Sequence, residues 1–188
     1  MRRKLFRVTD AFAEFGVERR PWLDPASLQA RYHELAAVRH PDKCGGDPLP
    51  LARLNEARGI LSSHPLRLRH LIALDTSREM TAEKFVPDFE LFSQIGMLTK
   101  MAGQISGENR SASSPPAAAE AALLQKKISA ALERINLQLE SLEGKIRSLD
   151  AVWPDRNPND LNRIAEEFSY LKKWRDSLRD ARTLLLGG

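Results

Sequence analysis

Cysteine is almost missing from this chain: Cys44 is the single one in 188 residues. A lone thiol forms no internal disulfide and no cysteine-based zinc cluster. A reducing, cytoplasmic location is therefore the expectation. Long apolar runs are missing as well. None approaches the roughly 20 residues that cross a bilayer, and no apolar stretch of signal-peptide length follows the basic Met1-Arg2-Arg3-Lys4. No membrane partner is expected. β-Branched runs are few, whereas Ala, Leu, Glu, Lys and Arg abound, so an all-α chain is expected. No repeat with a period of 20–50 residues is evident, which argues against a solenoid.

Charge of one sign is also scarce. The formal net charge is +4; residues 1–75 hold 13 Lys/Arg against 9 Asp/Glu, and residues 76–188 hold 16 of each. The whole excess thus lies in the N-terminal part, which favours an acidic protein partner or weak nucleic-acid attraction there. It is too small to argue for nucleic acid alone, so no nucleic-acid partner is expected, and binding of nucleic acid through the basic N-terminal helices stands as a weaker third reading. Hydrophobic residues at 42% leave enough for a core.

Proline, glycine and capping residues divide the chain. Val8, Phe12 and Phe15 stand at helical spacing, with Asp10 at the helix start and Gly16 at its stop. Asp24-Pro25 reads as an N-cap followed by a first-turn proline, opening a helix over residues 25–39 with Leu28, Tyr32, Leu35 and Ala36 as its apolar stripe. Pro41 ends that helix. Residues 44–50 hold two glycines and two prolines and form a loop. Leu51, Leu54, Ala57 and Leu61 mark the next helix, antiparallel to its predecessor in a helical hairpin. After the His64-Pro65 break, residues 66–74 make a short docking helix.

The remaining residues predict three further helices. Phe89, Phe92, Ile95 and Leu98 indicate one over residues 88–105. Residues 107–118, rich in Ser, Ala and Pro, read as a flexible linker. Ile128, Leu132, Ile135, Leu139, Leu142, Ile146, Leu149 and Trp153 alternate steps of four and three, a coiled-coil-like stripe expected to be packing core. Past Pro154 and Pro158, Leu161, Ile164, Phe168, Leu171, Trp174 and Leu178 build the last helix. The expectation is a domain over residues 1–75 and a C-terminal three-helix bundle within residues 76–188.

Tyr32-His33-Glu34-Leu35-Ala36-Ala37-Val38-Arg39-His40-Pro41-Asp42-Lys43 resembles the second helix and signature loop of J-domains. The resemblance implies that His40, Pro41 and Asp42 stimulate ATP hydrolysis by a DnaK-type chaperone. Arg31, Tyr32, Arg39 and Lys43 join them as expected chaperone-binding residues, since Arg31, Arg39 and Lys43 would surround Asp42 with positive charge that steers encounter with an acidic partner. A carboxylate such as Asp42 can accept a bidentate bond from an arginine.

A narrower resemblance is to HscB, the co-chaperone family of iron–sulfur cluster assembly. It rests on Asp10-Ala11-Phe12-Ala13-Glu14-Phe15-Gly16, Leu54-Asn55-Glu56-Ala57, His64-Pro65-Leu66-Arg67, Leu71-Ile72-Ala73-Leu74 and the later Phe168-Ser169-Tyr170-Leu171-Lys172-Lys173-Trp174. It implies an HscA-type chaperone as partner and an IscU-like scaffold protein as client, bound by the C-terminal bundle. Leu91, Phe92 and Ile95 match apolar client-binding positions of that family, and Ser169-Tyr170 stands where it has an arginine–phenylalanine pair. Gly96 and Thr99 stand where it has glutamates. Leu91, Phe92, Ile95 and Tyr170 are therefore expected to form one exposed apolar patch, with the alternative that Leu91, Phe92 and Ile95 are packing core.

The alternative is a J-domain fused to a coiled-coil-like module that targets the protein or drives self-association through the C-terminal helices. No enzyme is expected: His40 and Asp42 have no accompanying nucleophile, metal set or phosphate loop. His33, His64 and His70 are scattered, so no metal or cofactor is assigned.

Overall fold

A computed structural model of the chain describes residues 10–75, 86–108, 115–153 and 158–186. Within them lie seven α-helices and no strand: α1 (Ala11–Phe15), α2 (Pro25–Val38), α3 (Leu49–Leu61), α4 (His64–Leu74), α5 (Phe89–Glu108), α6 (Pro115–Asp150) and α7 (Pro158–Leu186), with a 3-10 turn at Pro41–Lys43. Val8 and Pro154, named above as helix markers, lie outside the described residues. Two compact units emerge. One comprises residues 1–83 with Lys145–Ala165, the other residues 84–144 with 166–188. Residues 145–165, which the sequence places in the second domain, thus cluster with the N-terminal helices.

In the first unit, α1 has only five residues and is held by its ends. The Asp10 side chain accepts from the N–H groups of Phe12 (3.0 Å) and Ala13 (3.2 Å). Gly16 follows the helix at φ 64, a left-handed conformation in which a side chain is strained. Its N–H donates to the Ala13 carbonyl, and that of Val17 to the Phe12 carbonyl, closing a Schellman motif. Phe12 and Phe15 are fully buried with Leu54, Ala57, Leu61, Leu68 and Leu71. Truncating either phenylalanine to alanine would cost about 3–5 kcal/mol.

Helix α2 starts as its capping pair requires. Asp24 accepts from the Ser27 N–H and hydroxyl, both at 2.8 Å, with Pro25 in the first turn. Tyr32 of α2 donates to Asn55 of α3, and Arg58 of α3 donates to Gln29 of α2. The earlier α2 residue meets the later α3 residue, so the pair is antiparallel. Pro65 sits in the first turn of α4 rather than breaking it; the break is at Ser62 and Ser63. Arg67 of α4 is 2% exposed. Its guanidinium donates to the carbonyls of Pro21 (2.8 Å) and Leu61 and meets His64 Nδ1, so its burial is matched by hydrogen bonds.

The second unit is a helical bundle in which α5, most of α6 and most of α7 each bury one stripe. On α5 these are Leu91, Ile95, Leu98, Ala102 and Ile105; on α6 Leu124, Ile128, Ala131, Leu132, Ile135, Leu139 and Leu142; on α7 Phe168, Leu171, Trp174, Leu178 and Ala181. The stripe expected from residue 128 thus extends to Leu124. Trp153 does not belong to it; it lies in the turn after α6. The linker expected over residues 107–118 is partly helical. Gly107 and Glu108 close α5, and Pro115 opens α6, where first-turn prolines and good helix-forming alanines continue the helix. Residues 109–114 of that stretch lie outside the described residues.

Candidate functional site

The turn between α2 and α3 is built by Pro41. Proline disfavours helical backbone in the residue before it, and His40 is extended at φ −63, ψ 139. The chain then closes on itself: Lys43 N–H donates to the His40 carbonyl and Gly46 N–H to the Pro41 carbonyl, each at 2.8 Å. Gly46 needs its φ of 87 to make that return. The Asp42 side chain is 87% exposed and that of His40 54%, with Nδ1 of His40 3.3 Å from the Asp42 carboxylate. The Asp42 N–H also points to Nδ1 (3.3 Å). The imidazole thus lies beside an open carboxylate. Lys43 is exposed too.

The other three expected residues have different duties. Tyr32 braces the helical pair: its hydroxyl donates to Asn55 (2.8 Å), and Arg58 lies 4.2 Å over its ring. Arg31 and Arg39 do not stand free around Asp42. Arg31 donates to the Phe15 carbonyl (3.1 Å) and pairs with Glu34 (3.0 Å). Arg39 donates to the Glu14 carboxylate and to the Glu14 carbonyl (3.1 Å). Both arginines satisfy carbonyls that the short α1 leaves unpaired at its end. The positive charge beside Asp42 therefore falls to Lys43.

The expected apolar patch divides in two. Leu91 and Ile95 are core, at 0% and 4% exposure, while Phe92 and Tyr170 are 54% and 42% exposed. The cause is helical phase. A series in steps of three, such as Phe89, Phe92, Ile95 and Leu98, slips by about 60° at each step and cannot stay on one face. The buried stripe takes steps of four and three, turning Leu91 inward and Phe89 and Phe92 outward. The two exposed rings still meet one neighbour: Phe92 lies 6.1 Å and Tyr170 6.0 Å from the ring of the buried Trp174. Asp88, which caps α5 through the Leu91 N–H (3.0 Å), pairs with Arg134 of α6 (3.4 Å).

A third cluster escaped the sequence reading. Asp150, at the end of α6, receives the Arg20 guanidinium and the Trp22 N–H (3.0 Å). Trp153 donates from its ring N–H to the Arg19 carbonyl (2.8 Å). The Trp22 ring stacks on His64 at 5.6 Å and carries Arg147 at 4.2 Å. Nothing local marks these residues: Arg19, Arg20 and Trp22 lie more than a hundred positions from Arg147, Asp150 and Trp153 in the chain.

His70 is turned toward α1. Its Nε2 accepts from the Ala11 N–H at 2.9 Å, and its ring stacks on Phe12 at 5.9 Å. Burial pushes its pKa below the ordinary value, and Arg19 adds to this against the pull of Asp10. Among the described residues no group of three His, Cys, Asp or Glu side chains converges as a metal site would require, and no helix is long and apolar enough to cross a membrane. No protein-family model matches the chain, and no curated protein is significantly similar to it.

Proposed function

We propose that this chain is a J-domain co-chaperone that stimulates ATP hydrolysis by a DnaK- or HscA-type chaperone. One observation carries the reading: His40, Pro41 and Asp42 form a tight, exposed turn joining two antiparallel helices. The Asp42 carboxylate is free to accept a bidentate arginine, which is strong and geometrically specific. The His40 ring lies beside it, and Pro41 fixes the turn in advance, lowering the entropy that binding costs. On this reading α1 to α4 are the J-domain, in a chain acting in the cytoplasm.

The client, on the HscB resemblance, is an IscU-like scaffold protein held by the C-terminal bundle. The contact then centres on Phe92 and Tyr170, whose rings flank Trp174, with Leu91 and Ile95 supporting it from the core. Exposed aromatics over a packed base are a usual protein-binding anchor. A second reading, a self-associating module, is favoured by the exposed Leu123 and Leu137 on α6.

The test is the ATPase rate of a DnaK-type chaperone titrated with the full chain. Asp42→Asn removes the charge but not the fold, because the side chain is exposed. It should abolish most of the stimulation, and a variant that stimulates like the wild type would refute the role of this turn.

A further inference from the structure

Arg39 is the residue through which the His40–Asp42 turn is tied to another helix. It follows the last residue of α2 and directly precedes His40. Its fork holds two groups of Glu14 at once, the carboxylate and the backbone carbonyl. A guanidinium can do this and an ammonium cannot do it with the same rigidity. Both side chains are only 25% exposed, so water weakens the pair less than it would on an open surface. The helix behind Glu14 is a firm base: Phe12 and Phe15 are fully buried, and both its ends are capped. Within the turn, the bonds from Lys43, Cys44 and Gly46 run back to His40 and Pro41 and hold its shape without setting its direction.

We propose that Glu14 is a positioning residue that acts through Arg39 to hold the His40–Asp42 turn in the orientation a chaperone reads. This rests on the reading of that turn as the chaperone contact. Glu14 touches no partner on this account. Without it, the end of α2 samples more orientations, and only a fraction of molecules presents the turn correctly. A partner then binds with an affinity reduced by that fraction, while the complex once formed is unchanged. The signature is a raised half-maximal concentration at an unchanged maximal stimulation. Asp42→Asn instead lowers the maximum.

The experiment titrates a DnaK-type chaperone's ATPase with the full chain as wild type, Glu14→Ala, Glu14→Gln, Arg39→Ala and the Glu14→Ala/Arg39→Ala double variant. Amide hydrogen exchange is followed on the same proteins. Glu14→Ala should raise the half-maximal concentration roughly fivefold, the weight of about one ordinary hydrogen bond. Glu14→Gln keeps an acceptor and the fold, and should shift it less. The double variant should be no worse than the poorer single one, because both remove the same contact. Exchange should quicken at Arg39, whose N–H donates to the Leu35 carbonyl at the end of α2, and stay unchanged at Lys43 and Gly46 within the turn and at the core positions Leu54 and Leu68. Additive single effects, or a Glu14→Ala variant equal to wild type in half-maximal concentration and in exchange at Arg39, overturns the proposal alone. A wild-type chain that gives no stimulation overturns it together with the functional reading.

Discussion

Arg20 and Asp150 form an ion pair across 130 positions of sequence, and its two sides are unequally buried: the Asp150 side chain is 8% exposed, that of Arg20 42%. The inequality sets the outcome of mutation. Asp150→Asn leaves a guanidinium that can turn to water, and should cost about 1 kcal/mol. Arg20→Ala strands a buried carboxylate with the Trp22 N–H as its remaining support from this segment, and should cost about 3 kcal/mol, the lower end for a broken buried pair. Urea unfolding of both variants measures the difference. Equal losses, or a larger one for Asp150→Asn, would show that desolvation of the carboxylate is not the governing cost.

His70 makes stability depend on pH. Its Nε2 accepts the Ala11 N–H, so only the ring without a proton there supports α1. Burial holds its pKa below 6.5 in the folded chain. Between 6.5 and that lower value the unfolded chain binds a proton and the folded chain does not. The contribution is therefore complete above pH 6.5 and declines as pH falls through this window. His70→Gln keeps an acceptor and does not titrate. Its unfolding free energy, measured at steps from pH 7.5 to roughly 5, should fall less steeply than that of the wild type. Parallel slopes would remove His70 as the cause.

The sequence announced what is settled locally. Asp10, Gly16, the Asp24-Pro25 pair and Pro41 act within a few residues of themselves, and each helix boundary they mark is where they place it. The buried stripes of α6 and α7 were legible for a similar reason, since their period fits the helix. What was not legible depends on distant partners or on phase. Arg39 next to His40 looks like steering charge until Glu14 is seen to hold it. Trp153 continues a heptad spacing past the end of α6 and serves the Arg19 carbonyl instead. The Ala-rich start of α6 lacks an apolar period, so propensity rather than amphipathicity marks it.

Because Arg39 is engaged, electrostatic steering should track Lys43. Lys43→Glu reverses an exposed charge beside Asp42. It should slow association with an acidic chaperone surface, and the effect should shrink between 0.1 M and 1 M salt, where the screening length falls from about 10 Å to about 3 Å. Arg39→Glu sets two carboxylates against each other at Glu14 and should lower stability as well. Stopped-flow association at several salt concentrations checks the first claim. A Lys43→Glu defect that is indifferent to salt would indicate direct contact rather than steering.

The bundle offers the sharpest separation of stability from binding. Leu91 and Ile95 differ from Phe92 and Tyr170 in burial although all four match a client surface by resemblance. Truncating a buried leucine or isoleucine loses its transfer free energy and leaves a cavity, so Leu91→Ala and Ile95→Ala should each cost about 2–5 kcal/mol. Phe92 and Tyr170 are about half exposed, and each loses a ring contact with Trp174. Phe92→Ala and Tyr170→Ala should each cost about 1 kcal/mol, near the ordinary value for a point mutation. If these rings anchor a client, the double variant should lose binding to an IscU-like scaffold protein by far more than its change in unfolding free energy explains. Binding should also depend little on salt, since Gly96 and Thr99 supply no charge where the family that the chain resembles carries glutamates. Calorimetry with the scaffold and urea unfolding of the same variants give both quantities. Unchanged binding in the double variant would sink the client role of Phe92 and Tyr170, and a loss of several kcal/mol in stability would make them core residues like Leu91.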